Sequence, residues 1–252
     1  MKSYRYFVWL LNVLFVALLI NSCDKGNGDM DPVVDLDSGL VYYFPFSGNS
    51  IDQVSDETYD IKEATFGTDR FNVPNKALKM INNGLSEQGM DMGAGLGEAE
   101  GSLAFWINLD DLEKLHPLFI KAYFHNFSAR EYNMYINPDS TMTLYWTNED
   151  IWPTTPKVIK CQQWQHIVVR WSKNKSVLEV LVDGNVVLTN NYQSDRILDP
   201  QEPPQKMGYS YNYEGSHTGS SNYFRGRIDE IRRYNRWLRD AEVDALIDQN
   251  QT

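Results

Sequence analysis

The chain has 252 residues, with 23 lysines and arginines against 34 aspartates and glutamates, and a formal net charge of −11. Such an acidic chain repels nucleic acid and anionic lipid, so the composition argues against partners of either kind. Only two cysteines are present, which excludes a disulfide-rich scaffold. A domain of this length must therefore be stabilised by its hydrophobic core.

The N-terminus combines a short basic stretch, an apolar run and a cysteine. The apolar run, Phe7 to Ile20, is interrupted once and spans 14 residues. A membrane-spanning helix needs about 20 residues, so this length favours a signal peptide. The run ends in Ile-Asn-Ser-Cys, which resembles the lipobox of bacterial lipoproteins. We expect a signal peptide over 1–22 and lipidation at Cys23; an uncleaved anchor and an ordinary signal peptide are the alternatives.

Several acyl chains on one cysteine anchor a protein stably, so the predicted location is the cell envelope, at the outer membrane or cell surface. Cleavage would leave 21 basic against 34 acidic residues, a net charge of −13. Residues 23–38 are polar and rich in turn formers, which predicts a flexible tether. Residues 39–252 then form one folded domain. With Cys23 acylated, Cys161 has no disulfide partner, and we predict that it is a small buried residue.

From residue 39 onward, short β-type runs alternate with turn clusters, as in an antiparallel sandwich or barrel. Asn137–Ser140 and Asp183–Asn185 separate strands as hairpin loops, and a short helix is predicted over Asp240–Gln249 with Asp240 as its N-cap. The fold class is therefore all-β with one short C-terminal helix. The predicted strands are Leu40–Phe46, Ala77–Ile81, Ser102–Asn108, Pro117–Tyr123, Glu131–Ile136, Thr141–Thr147, Gln165–Trp171, Val177–Val182, Val186–Thr189, Lys206–Tyr211 and Phe224–Tyr234.

Five of these segments resemble, in the same order, motifs of the laminin-G-like, concanavalin A-like domains of bacterial surface proteins. They are Gly39–Asn49, Ser102–Asn108, Trp164–Val169, Leu181–Gly184 and Phe224–Leu238. The resemblance implies a two-sheet antiparallel jelly-roll sandwich whose first and last strands are neighbours. It also implies a module that binds sugars or proteins, often with structural calcium. The wider superfamily includes glycoside hydrolases and polysaccharide lyases.

The sequence gives little support to catalysis. Glucanases on this scaffold resemble one another in a Glu-x-Asp-x-Glu strand, and this chain has no such run. Glu98 and Glu100 lie in a glycine-rich loop without a third carboxylate. Asp229 and Glu230 are adjacent, so on a regular strand they are expected to face opposite ways. We predict that the protein is not an enzyme, with a hydrolase or lyase as the alternative.

Strand parity also gives several predicted strands one apolar and one polar-aromatic face. Sugar-binding sites combine an aromatic platform with hydrogen-bonding groups, so such faces and the tyrosine-rich loop are candidate glycan surfaces. The alternative is that these aromatics only pack against neighbouring strands. The predicted ligand-binding residues are Tyr123, Asn133, Tyr135, Tyr145, Trp152, Tyr211, Tyr213 and His217.

A calcium ion is the one cofactor that the resemblance suggests. Oxygen donors near the first strand, Asn49 and Asp52, are expected to meet Asp229 of the last strand. Calcium takes 6–8 oxygen ligands, so such a site would join the two ends of the domain. The alternative is that the first two are turn residues and that Asp229 caps a backbone group.

Together these features predict a surface-anchored lipoprotein whose domain binds carbohydrate without catalysis. The alternatives are a polysaccharide-degrading hydrolase or lyase, and an adhesive or structural lipoprotein that binds a protein. The expected partners are a glycan or a surface protein, with the membrane contacted only through the lipid anchor and no nucleic acid bound.

Overall fold

The computed structural model describes residues 34–81, 88–92, 99–122, 130–146, 152–192, 205–208 and 224–249. The chain divides into two compact units, Met1–Val34 and Asp35–Thr252. The predicted signal peptide and Cys23 lie outside the described residues. Among the residues described, no helix has the length and apolarity needed to cross a membrane.

Fourteen strands and one helix lie within the described ranges. They are β1 Leu40–Phe44, β2 Ile61–Lys62, β3 Thr65–Gly67, β4 Ala77–Ile81, β5 Gly89–Asp91, β6 Glu100–Leu109, β7 His116–Ala122, β8 Arg130–Ile136, β9 Met142–Trp146, β10 Gln165–Ser172, β11 Val177–Val182, β12 Asn185–Asn191, β13 Lys206–Met207, β14 Arg225–Tyr234 and α1 Asp240–Asp248. Each of the eleven predicted strands overlaps one of these. The unpredicted β2, β3 and β5 have two or three residues each, too few to show an alternating pattern.

The strands form two antiparallel sheets. One has eight strands in the order β12-β11-β10-β6-β14-β4-β3, with β1 also paired to β14. The other has six strands in the order β2-β5-β13-β7-β8-β9. The first and last strands are neighbours, and the predicted two-sheet antiparallel sandwich with one C-terminal helix is confirmed.

Both predicted hairpin loops are present. Asp183 and Gly184 have φ angles of 49° and 77° between β11 and β12. Two successive positive φ angles are typical of the two-residue type I′ hairpin, and glycine adopts one without steric cost. The helix prediction is shifted by one residue, because Arg239 is extended and acts as the N-cap in place of Asp240. The Glu242 side chain accepts the Arg239 backbone N–H at 2.8 Å.

The main core lies between the two sheets. Phe105 of β6 meets Phe119 of β7 edge to face, with ring centroids 5.0 Å apart, so the two sheets contact through aromatic side chains. A second cluster lies on the outer side of the eight-stranded sheet. There Val243 and Leu246 of α1 are clustered with Val168 of β10. The helix therefore covers part of this outer face.

The last strand, β14, pairs with two different strands along one edge. Its first half, Arg225–Ile228, pairs with β4, and its second half, Ile231–Tyr234, pairs with β1. Along its other edge β14 pairs with β6, with a register shift between Asp229 and Arg232. Glu230 lies at this bulge with a φ of 53°, a left-handed conformation that costs a non-glycine residue energy. We call this arrangement the β14 fork.

Close backbone packing at Gly226 fixes the first half of the β14 fork. Gly226 has a φ of 147°, and an added Cβ would lie 2.3 Å from the Asn108 carbonyl oxygen. We expect Gly226→Ala to lower the free energy of unfolding by roughly 2–4 kcal/mol, because a backbone atom must move. Gly67→Ala is the control, since its added Cβ would meet mainly flexible side-chain atoms at 3.2 Å. Equal urea-unfolding midpoints for the two variants would show that close backbone packing at Gly226 does not contribute to stability.

His166 of β10 is buried on the outer side of the eight-stranded sheet, its ring 5.1 Å from that of Trp106. Burial lowers the pKa of His166 from 6.5 to about 3, and the positive charges of Arg232 and Arg70 act in the same direction. The unfolded chain therefore binds a proton on this side chain at a higher pH than the folded protein does.

This difference predicts acid sensitivity. Above pH 6.5 His166 is neutral in both states, and its full contribution to the free energy of unfolding is present. Below pH 6.5 the unfolded chain takes up the proton first, so the free energy of unfolding falls by at most about 1.4 kcal/mol per pH unit down to about pH 3. The His166→Gln variant cannot take up this proton, so its stability should fall less than that of the wild type between pH 6.5 and 3.5. Urea unfolding at a series of pH values measures the two slopes, and parallel curves would show that His166 is not responsible.

Candidate functional site

Four of the predicted ligand-binding residues lie together on the outer side of the six-stranded sheet. Asn133 of β8 is directly opposite Tyr145 of β9, and Tyr135 lies two residues along β8, opposite Thr143. The ring of Trp152 is 4.6 Å from that of Tyr145. We call Asn133, Tyr135, Tyr145 and Trp152 the aromatic face. The other four, Tyr123, Tyr211, Tyr213 and His217, lie outside the described residues.

The position of Trp152 is set by a segment that runs along the edge of β9. Leu144 donates its backbone N–H to the Pro153 carbonyl at 2.9 Å, and Thr155 donates to the Met142 carbonyl at the same distance. These bonds occupy backbone groups of the edge strand and hold the segment beside the sheet. Trp152 is 44% exposed, whereas its neighbour Tyr145 is 8% exposed. The solvent-facing part of the aromatic pair is therefore Trp152.

Polar groups continue from the aromatic face across the sheet. Strand pairing aligns Asn133 with Ile120 of β7, and Ile120 with Lys206 of β13. Lys206 is opposite Asp91 of β5, and the Lys206 Nζ lies 3.5 Å from the Asp91 carboxylate. Asn133 is 2% exposed, and its Oδ1 has no hydrogen-bond partner among the described residues. A buried acceptor of this kind is costly unless a ligand or water donates to it.

The three predicted calcium ligands make local contacts instead of sharing a centre. Asp52 accepts hydrogen bonds from the backbone N–H groups of Tyr43 and Val54 through Oδ1 and from the Ser55 hydroxyl through Oδ2. Asn49 Oδ1 accepts the N–H of Ile51, two residues on. The contacts with Ile51, Val54 and Ser55 are those of turn residues, whereas the bond from Tyr43 joins Asp52 to β1.

Asp229, the third predicted calcium ligand, accepts the Glu230 N–H at 2.8 Å and lies 3.4 Å from the Arg70 guanidinium. In the part of the chain that the structure describes, no group of three or more His, Cys, Asp or Glu residues is arranged to hold a metal ion. Asn49, Asp52 and Asp229 each use side-chain oxygens in contacts within the protein, and calcium stays a prediction from sequence.

A cleft opens at the β14 fork, on the edge where β4 and β1 diverge. Its volume is about 450 Å³, and Tyr43, Arg70, Phe71, Asp229 and Glu230 contribute to its lining. On a regular strand Asp229 and Glu230 would face opposite ways. The bulge and the left-handed backbone of Glu230 bring both to one cavity, so the expectation from adjacency is wrong here. We call this cavity the bulge cleft.

Both carboxylates in the bulge cleft are held by neighbours. Burial, followed by the nearby charge of Glu230, raises the pKa of Asp229 to about 8, although Arg70 opposes the shift. Glu230 accepts a hydrogen bond from the Tyr43 hydroxyl at 2.7 Å and pairs with Arg232 at 2.8 Å. Burial also raises the pKa of Tyr43, which keeps its hydroxyl protonated as a donor.

Arg70 was not predicted from sequence. Its guanidinium lies over the rings of Phe71 and Trp106, 4.4 and 4.9 Å from their centroids, and donates to the Gln249 carbonyl at 3.2 Å. The residue belongs to a loop without periodicity, so its sequence carries no signal of this role. Cys161, predicted to be buried, is a free cysteine of intermediate exposure.

Comparison with known proteins agrees with the sandwich. A family model described as the concanavalin A-like lectin/glucanases superfamily matches residues 87–244. No curated protein sequence matches the chain.

Two kinds of solved structure are similar to the domain. One is domain 4 of AbnA, an extracellular GH43 arabinanase from Geobacillus stearothermophilus, in complex with arabinotriose; the TM-score is 0.63 at 16% identity, covering 83% of this chain and 98% of that one. Another is Trypanosoma rangeli sialidase in complex with sialic acid, with a TM-score of 0.62 at 18% identity. It covers 82% of this chain but only 32% of the sialidase. At such identities the likeness shows a shared fold. The family match and the two-sheet sandwich together show that the chain belongs to the concanavalin A-like lectin/glucanase superfamily.

Proposed function

We propose that the protein is a surface-anchored lipoprotein whose concanavalin A-like domain binds carbohydrate at the aromatic face, without catalysis. The observation that carries the proposal is the convergence of Asn133, Tyr145 and Trp152 on one outer sheet face. Domain 4 of the arabinanase, which has the same fold, is seen in complex with arabinotriose. That likeness supports glycan binding as a use of this scaffold but does not identify the sugar.

The chemistry of the aromatic face suits a sugar ring. Trp152 offers an exposed aromatic surface for the apolar C–H side of the ring, and Tyr145 supports it from below. Asn133 adds a buried acceptor beside Tyr145, which a water bonded to a sugar hydroxyl would satisfy. Binding of this kind needs stacking and hydrogen bonds, not a proton donor and a nucleophile. The adjacent carboxyl groups of Asp229 and Glu230 lie on the other sheet, where Arg70 and Arg232 contact them.

The aromatic face predicts the outcome of one substitution. Trp152→Ala should weaken binding of a glycan ligand by about tenfold, because the stacking surface is lost while the fold keeps its buried contacts. A glycan array probed with the purified protein, with and without a chelator, identifies the ligand, and titration calorimetry then gives the dissociation constants. Val186→Ala is the control, an exposed apolar residue on the other sheet.

Equal affinities of the Trp152→Ala and Val186→Ala variants would rule out the aromatic face as the site. Binding that disappears with the chelator would support the predicted calcium ion. An array without any bound glycan would favour a protein partner, and release of shortened sugars from a bound polymer would favour the hydrolase or lyase alternative.

The lipid anchor is a separate part of the proposal and is supported by the leader and the Ile-Asn-Ser-Cys sequence. We expect the wild type to incorporate labelled fatty acid and to partition into the detergent phase, and Cys23→Ser to lose the label, because no other thiol follows the apolar run directly. Cys161→Ser is a matched control, since the chain has only these two cysteines. Labelling that survives in Cys23→Ser would contradict the anchor.

A further inference from the structure

We propose that the bulge cleft is a second binding site, which takes one or two residues of a neutral sugar. The cleft lies at the β14 fork of the eight-stranded sheet, whereas the aromatic face belongs to the six-stranded sheet. The proposal goes beyond binding at the aromatic face and does not depend on it. The cavity has the size, the charge balance, the hydrogen-bonding groups and the aromatic wall that such a ligand needs.

The size of the cavity is that of a small-ligand site. Its volume of about 450 Å³ falls within the roughly 300–1,000 Å³ typical of such sites. Its walls come from β1, the loop that carries Arg70 and Phe71, the bulge of β14 and Gln249 beyond α1. Walls from separate parts of the chain give a pocket in which one or two sugar rings can bury much of their surface.

Charge balance in the bulge cleft favours a neutral ligand. Arg70 pairs with Asp229 and Arg232 pairs with Glu230, and the Arg70 side chain is 9% exposed. With the pKa of Asp229 raised to about 8, the lining carries three positive side chains against three negative ones at neutral pH, so it offers no excess charge to a carboxylate or an amine. The positive residues are Arg70, Lys76 and Arg232, and the negative ones are Asp37, Asp69 and Glu230. A charged ligand would lose its hydration and would also have to compete with a pair that is already formed.

The hydrogen-bonding groups suit hydroxyls, which both donate and accept. Tyr43 and Arg232 both bind Oε2 of Glu230, so among the described residues its Oε1 keeps its lone pairs for a donor. The Tyr43 oxygen can accept while it donates to Glu230, and Gln53 adds an exposed amide to the lining. Adjacent sugar hydroxyls need this mixture of donors and acceptors.

An aromatic wall completes the cleft. Phe71 is 38% exposed, and the Arg70 guanidinium lies over its ring. The exposed part of the ring offers an apolar surface to the C–H side of a sugar.

The proposal is tested with the full-length protein in detergent and five neutral probes: glucose, galactose, mannose, arabinose and xylose. Saturation-transfer NMR should detect binding of at least one probe, and titration of that probe should give a dissociation constant about tenfold higher for Phe71→Ala. Gln53→Ala, also at an exposed residue, should weaken binding several-fold. Val54→Ala, an exposed apolar residue outside the cleft lining, is the control and should bind as the wild type does.

Trp152→Ala separates the two sites. If the bulge cleft is the monosaccharide site, Trp152→Ala binds the probe as the wild type does, and Phe71→Ala binds it about tenfold more weakly. Loss in Trp152→Ala together with full binding by Phe71→Ala would overturn the second site and leave the aromatic face intact. The absence of binding to all five probes, or a tighter affinity for glucuronate than for glucose, would also overturn the proposal of a neutral-sugar cleft.

Discussion

The pairing of β14 is the constraint on which the other features depend. This ten-residue strand has β6 along one edge and is shared by β4 and β1 along the other. A strand that serves two partners on the same edge must change its register between them, and the bulge at Asp229 and Glu230 provides that change. The divergence of β4 and β1 leaves the bulge cleft between them. The same strand that joins β6 to β4 and β1 therefore also shapes the cavity that Asp229 and Glu230 line.

The order and type of the elements could be predicted because the signals were local. Alternating side chains marked the long strands, and Gly184 marked a hairpin whose geometry needs positive φ. The aromatic face followed from the same alternation, since Asn133 and Tyr145 lie on matching positions of adjacent strands. Trp152 lies beside them because backbone hydrogen bonds hold its segment along β9, and strand parity does not imply this pairing.

The bulge cleft could not be predicted, because it arises from pairing between distant parts of the chain. Parity assigned Asp229 and Glu230 to opposite faces, and the rule holds only for regular strands. Arg70 contacts Asp229 across 159 positions of sequence, and nothing near Arg70 distinguishes it from any other loop arginine. Strand periodicity therefore predicts side-chain directions up to the register shift at Asp229, and beyond it they depend on pairing between distant strands.

The contacts of the two carboxyl groups at the bulge support the proposal of binding without catalysis. A general acid and a nucleophile must each be free to exchange a proton or form a bond with the substrate. Glu230 is held by Tyr43 and Arg232, and Asp229 by Arg70 and the Glu230 backbone. Releasing Glu230 would leave a partly buried charge without its partners, at a cost that commonly reaches several kcal/mol. The Tyr43–Glu230 hydrogen bond and the Arg70–Asp229 contact also fasten β1 and the Arg70 loop to β14, so the groups that line the cleft stabilise the sandwich. The ligand proposed for the cleft would therefore bind by hydrogen bonding and stacking.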